Sequence, residues 1–357
     1  MKIIHSIFSF HVGGAETMLI DIINQQCKEA SISLIIVNDK VNINLLNTID
    51  KGVNIYLIKR KESCKTQLLT TFFKINRIVK KINPDVIHCH DNKLFPFFIR
   101  WKRKTCITIH SINLSIAFLK YFSRIFAISD SVKNNIKERT GINAHIVFNG
   151  IEIEKYKSRE NYSFDPKKDE FKIIQISRLS PKQKGQHIAI HAISLLKKQY
   201  PDINIKLFFI GGGEAIKELE ELAVKLTISS QIVFLGTIDR SRIKNDICNY
   251  HVLIQPSLIE GFGITITEGF ACGLPVIASN LDGPKEICHL LNAGLLVYPN
   301  DPVDLAEKIL QVYQSYILNS LKDNNYILQD KNKLTIFDIK KTAKTYINHY
   351  ISITLCK

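Results

Sequence analysis

The feature that most constrains this 357-residue chain is a rhythm of short apolar runs and amphipathic stretches that stops once and then restarts. KIIHSIFSF reads as a strand, GGAETMLIDIINQQCKEA as a helix and ISLIIVND as a strand again. VNIYLI, DVIHCH, TCITIH and RIFAISD follow as apolar runs, with TQLLTTFFKINRIVKKI between two of them at helical period. Strands that alternate with helices predict parallel sheets covered by helices on both faces. Residues 155–170, KYKSRENYSFDPKKDE, contain no apolar run and are the linker candidate. Beyond them FKIIQISRL, a helix over about 186–199, INIKLFFIGGG, a helix from about Ala215, IVFLG, HVLIQPS, PVIAS and AGLLVY resume the alternation. The length also exceeds what one core normally serves. The expectation is two α/β domains, residues 1–160 and 161–334, followed by an amphipathic helix over about 335–357.

Composition narrows the class. MKIIHSIFSF reads better as a buried strand than as a secretory leader, because histidines and serines break its apolar run. LFPFFI and LSIAFL are far short of the ~18–20 apolar residues a membrane span needs. The 8 cysteines are scattered with no C-x-x-C pair, which argues against a zinc ribbon or redox motif and suits free thiols in a reducing cytoplasm. The formal charge of +15 is uneven: residues 1–155 hold 23 Lys and Arg against 12 Asp and Glu. That excess suggests an anionic partner, although a Lys-rich surface also serves solubility alone. No stacking motif or helix-turn-helix pattern supports nucleic acid.

The densest chemistry lies at 259–275, IEGFGITITEGFACGLP, directly after HVLIQPS. Pro256 closes the strand. Gly261 and Gly263 permit a sharp turn and a close ligand. A helix is expected from about Ile264 to the Gly273–Pro275 stop. Its free N–H groups form an anion site beyond the strand ends. Glu260 precedes the helix, and Glu268 lies ~6 Å along it at ~1.5 Å per residue. A phosphate at the helix start would sit between two carboxylates, each suited to sugar hydroxyls. A nucleotide sugar has that layout of ribose, diphosphate and hexose. A surface helix with an unremarkable glutamate is the plainer alternative.

PSLIEGFGITITEGFACGLPVIAS, followed by DGPKEI, resembles the E-x7-E signature of the family 4 glycosyltransferases. The resemblance extends over most of the chain. It implies the GT-B architecture, two Rossmann-like domains facing across a cleft, the first taking the acceptor and the second the donor. It also implies a retaining transfer of hexose from a nucleotide-diphosphate sugar. By that resemblance Glu260 contacts the donor hexose and Glu268 the ribose, with Gly261, Phe262, Gly263 and Ile264 forming the phosphate turn. Gly269 departs from the family's frequent alanine.

Three further motifs fit the same picture. In ISRLSPKQKGQ, Arg178 and Lys184 can balance a diphosphate, one as a fork and one as a point charge. They match the family's phosphate pair, with Lys182 as competitor to Lys184. In FHVGGAE, Gly13 and Gly14 could bring backbone amides to the donor, or form a simple tight turn. In TIHSIN, His110 closes a strand where relatives place a histidine on the reacting sugar; a structural role is the plain alternative. His88 and His90 share one strand face and read as cleft-lining or structural, since no spacing supplies further metal ligands. Gly211 and Gly213 match a loop that walls the nucleotide, and Asn149–Gly150 a turn at the end of the first domain.

No D-x-D occurs, so neither a metal nor any other cofactor is expected, with Arg178, Lys184 and the helix terminus supplying positive charge. The basic RWKRK and KINRIVKK segments suit a lipid-linked or glycan acceptor at an anionic membrane. The expectation is therefore a peripheral enzyme on the cytoplasmic face of the cell membrane, in cell-surface polysaccharide or lipopolysaccharide assembly. A nucleotide-sugar epimerase on the same fold, a non-catalytic sugar-binding protein and a nucleic-acid-binding protein are the alternatives.

Overall fold

The computed structural model describes residues 1–11, 13–61 and 67–355. They divide into two compact units: residues 1–151 together with the C-terminal stretch from Ile336, and Glu152–Thr335. The first holds a seven-stranded sheet of β1 (Lys2–Ile7), β2 (Ser31–Asn38), β3 (Asn54–Arg60), β4 (Val86–Cys89), β5 (Thr105–Ile109), β6 (Arg124–Ala127) and β7 (His145–Ile146), in the order β3-β2-β1-β4-β5-β6-β7. The second holds β8 (Phe171–Ile176), β9 (Ile205–Ile210), β10 (Ile232–Phe234), β11 (Val252–Gln255), β12 (Val276–Ser279) and β13 (Leu295–Val297), in the order β10-β9-β8-β11-β12-β13.

All pairings are parallel. This explains why the central strands are apolar without alternation: both faces are covered by helices. β2 is buried from Ile32 to Asn38, and β1 from Ile3 to Ile7. Both sheets reverse strand order once, between β1 and β4 and between β8 and β11. In open α/β sheets a crevice opens at that point, beyond the carboxyl ends of the strands. Each unit has the Rossmann-like form.

The unit boundary falls earlier than the residue 160 read from the sequence. Residues 152–164 lack an apolar run yet belong to the second unit through single side chains. Arg159 donates to the Tyr250 carbonyl at 2.5 Å, Tyr162 donates to the Gly273 carbonyl at 2.6 Å, and Phe164 packs edge-on to Phe171. Two aromatic residues and an arginine anchor a stretch that averages as polar.

Helix Ile339–Leu355 returns to the first unit and packs on helix Gly14–Gln26. Its Thr342, Ala343, Tyr346, Tyr350 and Ile353 recur at three- and four-residue intervals and form the buried stripe. A buried tyrosine needs a partner for its hydroxyl. Tyr346 shares a hydrogen bond with Thr108 Oγ1 at 2.9 Å, and Tyr350 with His88 Nδ1 at 2.5 Å. Gly150 lies under the start of this helix, where a Cβ would stand 2.7 Å from the Ile339 Cα. The two-residue β7 and the short-pitch segment Asn92–Lys104, which contains Pro96 and kinks at Trp101, were too irregular to announce themselves in the sequence.

Candidate functional site

The second unit concentrates its chemistry at its strand-order reversal. Arg178 follows β8 and Glu260 follows β11, two adjacent strands. The turn Ser180–Gly185 joins the two loops. The Gln183 carbonyl accepts from the amides of Leu258 and Ile259 at 2.8 and 3.1 Å. Gln175 Nε2 donates to the Lys184 carbonyl at 2.7 Å. Gly185 has φ +68°, and a Cβ there would lie 1.9 Å from the Pro256 carbonyl oxygen. Only glycine lets the lysine loop close onto the glutamate loop so tightly.

This closure brings Lys184 Nζ to 2.6 Å from Glu260 Oε2, both side chains mostly shielded from solvent. Arg178 is exposed and donates to Gln183 Oε1 at 2.9 Å. Lys182, the competing lysine, is exposed on the same turn and has no ion pair among the described residues. Asp282 also belongs here. Burial first and the Glu260 charge second raise its carboxyl above the ordinary aspartate value. Lys184 is thus the cation set among acidic neighbours.

The turn before helix Ile264–Ala271 is built by contact as much as by flexibility. Gly263 caps the helix at φ +100° and, being glycine, supplies no side-chain hydrogen bond to its first turn. Phe262 is 3% exposed, so its ring belongs to the core and its backbone to the turn. A Cβ on Gly283 would fall 2.4 Å from the Phe262 Cα. The glycine of the DGP tripeptide therefore admits the next helix against the turn. Glu268 is buried and accepts from the Tyr156 hydroxyl at 2.6 Å. Sequence reasoning missed Tyr156, 112 residues away in the presumed linker.

Gly211 and Gly213 abut the arginine loop. Cβ atoms there would meet the carbonyl oxygens of Ser177 at 2.0 Å and Leu179 at 2.3 Å. Buried Gln186, also unrecognised in the sequence, donates to Ser177 Oγ at 2.9 Å and to the Arg178 carbonyl at 3.0 Å. Together they hold Arg178 in place from below. Gly269, the departure from the family pattern, has β12 close beside it: a Cβ would be 3.0 Å from Val276 Cγ2.

In the first unit, Gly13, His90 and His110 follow β1, β4 and β5, again around the strand-order reversal. Gly13 is extended and Gly14 opens helix Gly14–Gln26, with the Glu16 side chain lying over Gly13. Val12, in the same motif, lies outside the described residues, as do Cys64 and Cys356. Cys27, Cys89, Cys106, Cys248, Cys272 and Cys288 are unbonded.

His110 is not a lone histidine. His5, which pairs with His88 across the β1–β4 ladder, joins His88, His90 and His110 in a cluster. Only strand order could have revealed it. His88 is fully buried between Tyr350 and Thr108, so its role is structural. Desolvation pushes His5 and His110 down to about 4, and His88 and His90 well below the ordinary histidine value.

The family models of glycosyl transferases group 1 and of glycosyltransferase family 4 match residues 157–331 and 12–155. The chain belongs to the family 4 glycosyltransferases. Among curated relatives of this glycosyltransferase, an uncharacterized glycosyltransferase of Methanocaldococcus jannaschii is 29% identical over 275 residues, covering 72% of this chain and 74% of that one. The phosphatidylinositol N-acetylglucosaminyltransferase gpi3 subunit of Schizosaccharomyces pombe is 24% identical over 341 residues, covering 86% and 71%. Among solved structures, Anabaena HepE in complex with UDP and glucose aligns with a TM-score of 0.79 at 20% identity, over 99% of this chain and 100% of that one. That likeness is one of fold. The family membership makes the enzyme a transferase, which takes the place of the epimerase and binding-protein alternatives.

Proposed function

We propose that this glycosyltransferase moves a hexose, with retention of anomeric configuration, from a nucleoside-diphosphate sugar to a hydroxyl of a glycan or lipid-linked acceptor. The observation that carries the reading is the Lys184–Glu260 pair at 2.6 Å beside the glycine-capped start of helix Ile264–Ala271. A diphosphate placed there meets Arg178, Lys184 and the first-turn amides, while Glu260 accepts from hexose hydroxyls and Glu268 from the ribose. The glycosidic bond to the leaving phosphate breaks as the acceptor oxygen bonds to the anomeric carbon on the same face. The departing phosphate takes the acceptor proton. Fixed positive groups are worth most against charge that grows in the transition state, as on this leaving group. His110 and the Gly13–Gly14 turn contact the transferred sugar, and Gly211 and Gly213 shape the nucleotide wall. The positive charge comes from side chains and amides, so EDTA is expected to leave the rate unchanged. The nucleotide and sugar bound in HepE support the donor class.

A panel of nucleotide sugars tested by thermal shift checks this reading. A ligand at a hundred times its Kd adds about 2.7 kcal/mol to stability. At least one nucleoside-diphosphate sugar is expected to raise Tm by several degrees and to be hydrolysed slowly to the sugar with unchanged anomeric configuration. Indifference to the whole panel defeats the proposal, and an inverted product defeats retention.

We place the enzyme at the cytoplasmic face of an anionic membrane, in polysaccharide or lipopolysaccharide assembly. Helix Leu68–Ile82 buries Thr71, Ile75, Asn76 and Val79 and leaves Leu69 and Phe73 exposed beside Lys74 and Arg77. Asn76 Nδ2 ties it to the Phe97 carbonyl at 3.1 Å, within the segment that exposes Ile99, Arg100, Lys102 and Arg103. Apolar tips among cations suit insertion at an anionic lipid surface. No helix among the described residues is long and apolar enough to cross a membrane. The chain is expected to sediment with anionic liposomes at low salt and to release at high salt. Equal recovery in the supernatant at every salt concentration removes the membrane reading.

A further inference from the structure

We infer that His110 meets the sugar as a hydrogen-bond acceptor, its tautomer imposed by a chain of side chains running Gln26–His5–His90–His110. The inference deepens the proposed function and rests on it for the role of His110. Gln26 Oε1 is 2.8 Å from His5 Nε2, His5 Nδ1 is 3.1 Å from His90 Nε2, and His90 Nδ1 is 3.1 Å from His110 Nε2. Gln26 and His5 are buried, whereas His90 and His110 are partly exposed. The chain is therefore closed at its amide end and open at His110. His110 Nδ1 has no hydrogen-bond partner among the described residues.

The proton order follows from the closed end. An amide oxygen only accepts, so His5 carries its proton on Nε2. A neutral His5 then accepts at Nδ1, which requires Nε2–H on His90. The same step repeated puts Nε2–H on His110 and leaves its Nδ1 lone pair for a ligand. Neutrality is enforced by burial and by the other imidazoles, which hold His90 well below the ordinary histidine range. Turned over, the Gln26 amide would donate to His5 and reverse every proton, making His110 Nδ1 a donor. It is Gln26 Oε1 that stands 2.8 Å from His5 Nε2, while Gln26 Nε2 has no hydrogen-bond partner among the described residues, so the tautomer read at His110 also reports the amide orientation.

A metal is the competing use of this cluster, since ligand nitrogens of His5, His88 and His90 lie within 4.8 Å of one another. His5 and His90, however, turn their facing nitrogens on each other, and both nitrogens of His88 are taken by Tyr350 and Thr108. The His88 and His90 rings stack with centroids 4.5 Å apart, so their lone pairs do not converge on one point. An acceptor at His110 suits the chemistry. A sugar hydroxyl that donates its proton to Nδ1 gains electron density on oxygen, which favours positive charge developing on the sugar ring.

The test uses the full chain labelled with 15N-histidine, read by long-range proton–nitrogen correlation at neutral pH, with His90→Asn and His110→Ala assigning peaks. The expected result is neutral His5, His90 and His110, each protonated on Nε2. A proton on Nδ1 of His110, an even mixture of tautomers, or a zinc-induced shift of the His5 and His90 signals overturns the chain. Activity provides the second reading. In His90→Asn the amide oxygen replaces Nδ1 as acceptor for His110, and kcat is expected to stay within about threefold of the parent. His90→Phe and His90→Gln remove that acceptor and should lower kcat about tenfold to a hundredfold, with KM little changed. Equal losses in all three variants overturn the positioning role. The expected tautomer with an undiminished rate in His110→Ala would instead remove His110 from the sugar while the proton order stands, so the two failures are distinguishable.

Discussion

Lys184→Ala is expected to lower kcat/KM by about two to three orders of magnitude, the loss typical of removing one fixed group that meets transition-state charge. The same change leaves Glu260 without its 2.6 Å partner and close to Asp282, whose carboxyl Glu260 already helps to raise. Most of the loss should therefore appear in kcat, with a smaller rise in KM. Lys184→Arg is expected to recover only part of the rate, because the planar guanidinium does not reproduce a point charge held against one carboxylate oxygen. Lys182→Ala, on the exposed side of the same turn, serves as the control and should stay near the parent rate. Steady-state kinetics with the donor identified by thermal shift decides the matter. If Lys184→Ala, folded by circular dichroism, keeps more than about a tenth of the parent kcat/KM, the diphosphate is held elsewhere.

Acidification between pH 6.5 and 5 is expected to destabilise the first unit strongly. His5, His88, His90 and His110 are neutral and buried or partly buried, and desolvation depresses each of them. In the unfolded chain they titrate near 6.5. Between the two values the unfolded chain binds more protons, so stability rises with pH there. Their contribution is complete above about pH 6.5 and is lost as pH falls toward the folded values. For fully buried His5, lowered from 6.5 to about 4, the full contribution is on the order of 3 kcal/mol. His251 in the second unit is lowered to about 3 by burial and by nearby Arg159 and Lys172, and it acts in the same direction. Carboxylates titrate mainly below this window, so the loss above pH 5 reports histidine. The single tryptophan, Trp101, lies in the first unit and supplies the probe. Its thermal transition should fall by many degrees from pH 7 to pH 5, and a Tm constant over that range would refute the buried neutral cluster.

Much of the candidate site was legible because its parts are local. Glu260, Gly263 and Glu268 lie within nine residues, and strand, turn and helix start dictate where they point. Arg178 and Lys184 were legible as a strand-end cation pair. What escaped were partners distant in sequence. Tyr156 reaches Glu268 from a stretch that reads as linker, and Gln186 supports Arg178 from the first turn of a helix whose pattern announces only packing. Asp282 and Gly283 stood in a quoted motif, yet their proximity to Glu260 and Phe262 depends on the next strand and helix. The domain boundary was misplaced for a related reason: composition averages over a window, whereas Tyr156, Arg159 and Tyr162 act one at a time.

The sequence by itself determined the two α/β units, the apolar parallel strands and the loop chemistry that follows β8 and β11, because hydrophobic period and turn residues are properties of neighbours along the chain. Strand order is not such a property. Placing β4 between β1 and β5 is what sets His5 beside His88 and lines up His5, His90 and His110, three residues separated by 85 and 20 positions. Side chains so far apart in sequence meet only after the loops between them have closed. Tertiary structure alone therefore decided which histidine touches which.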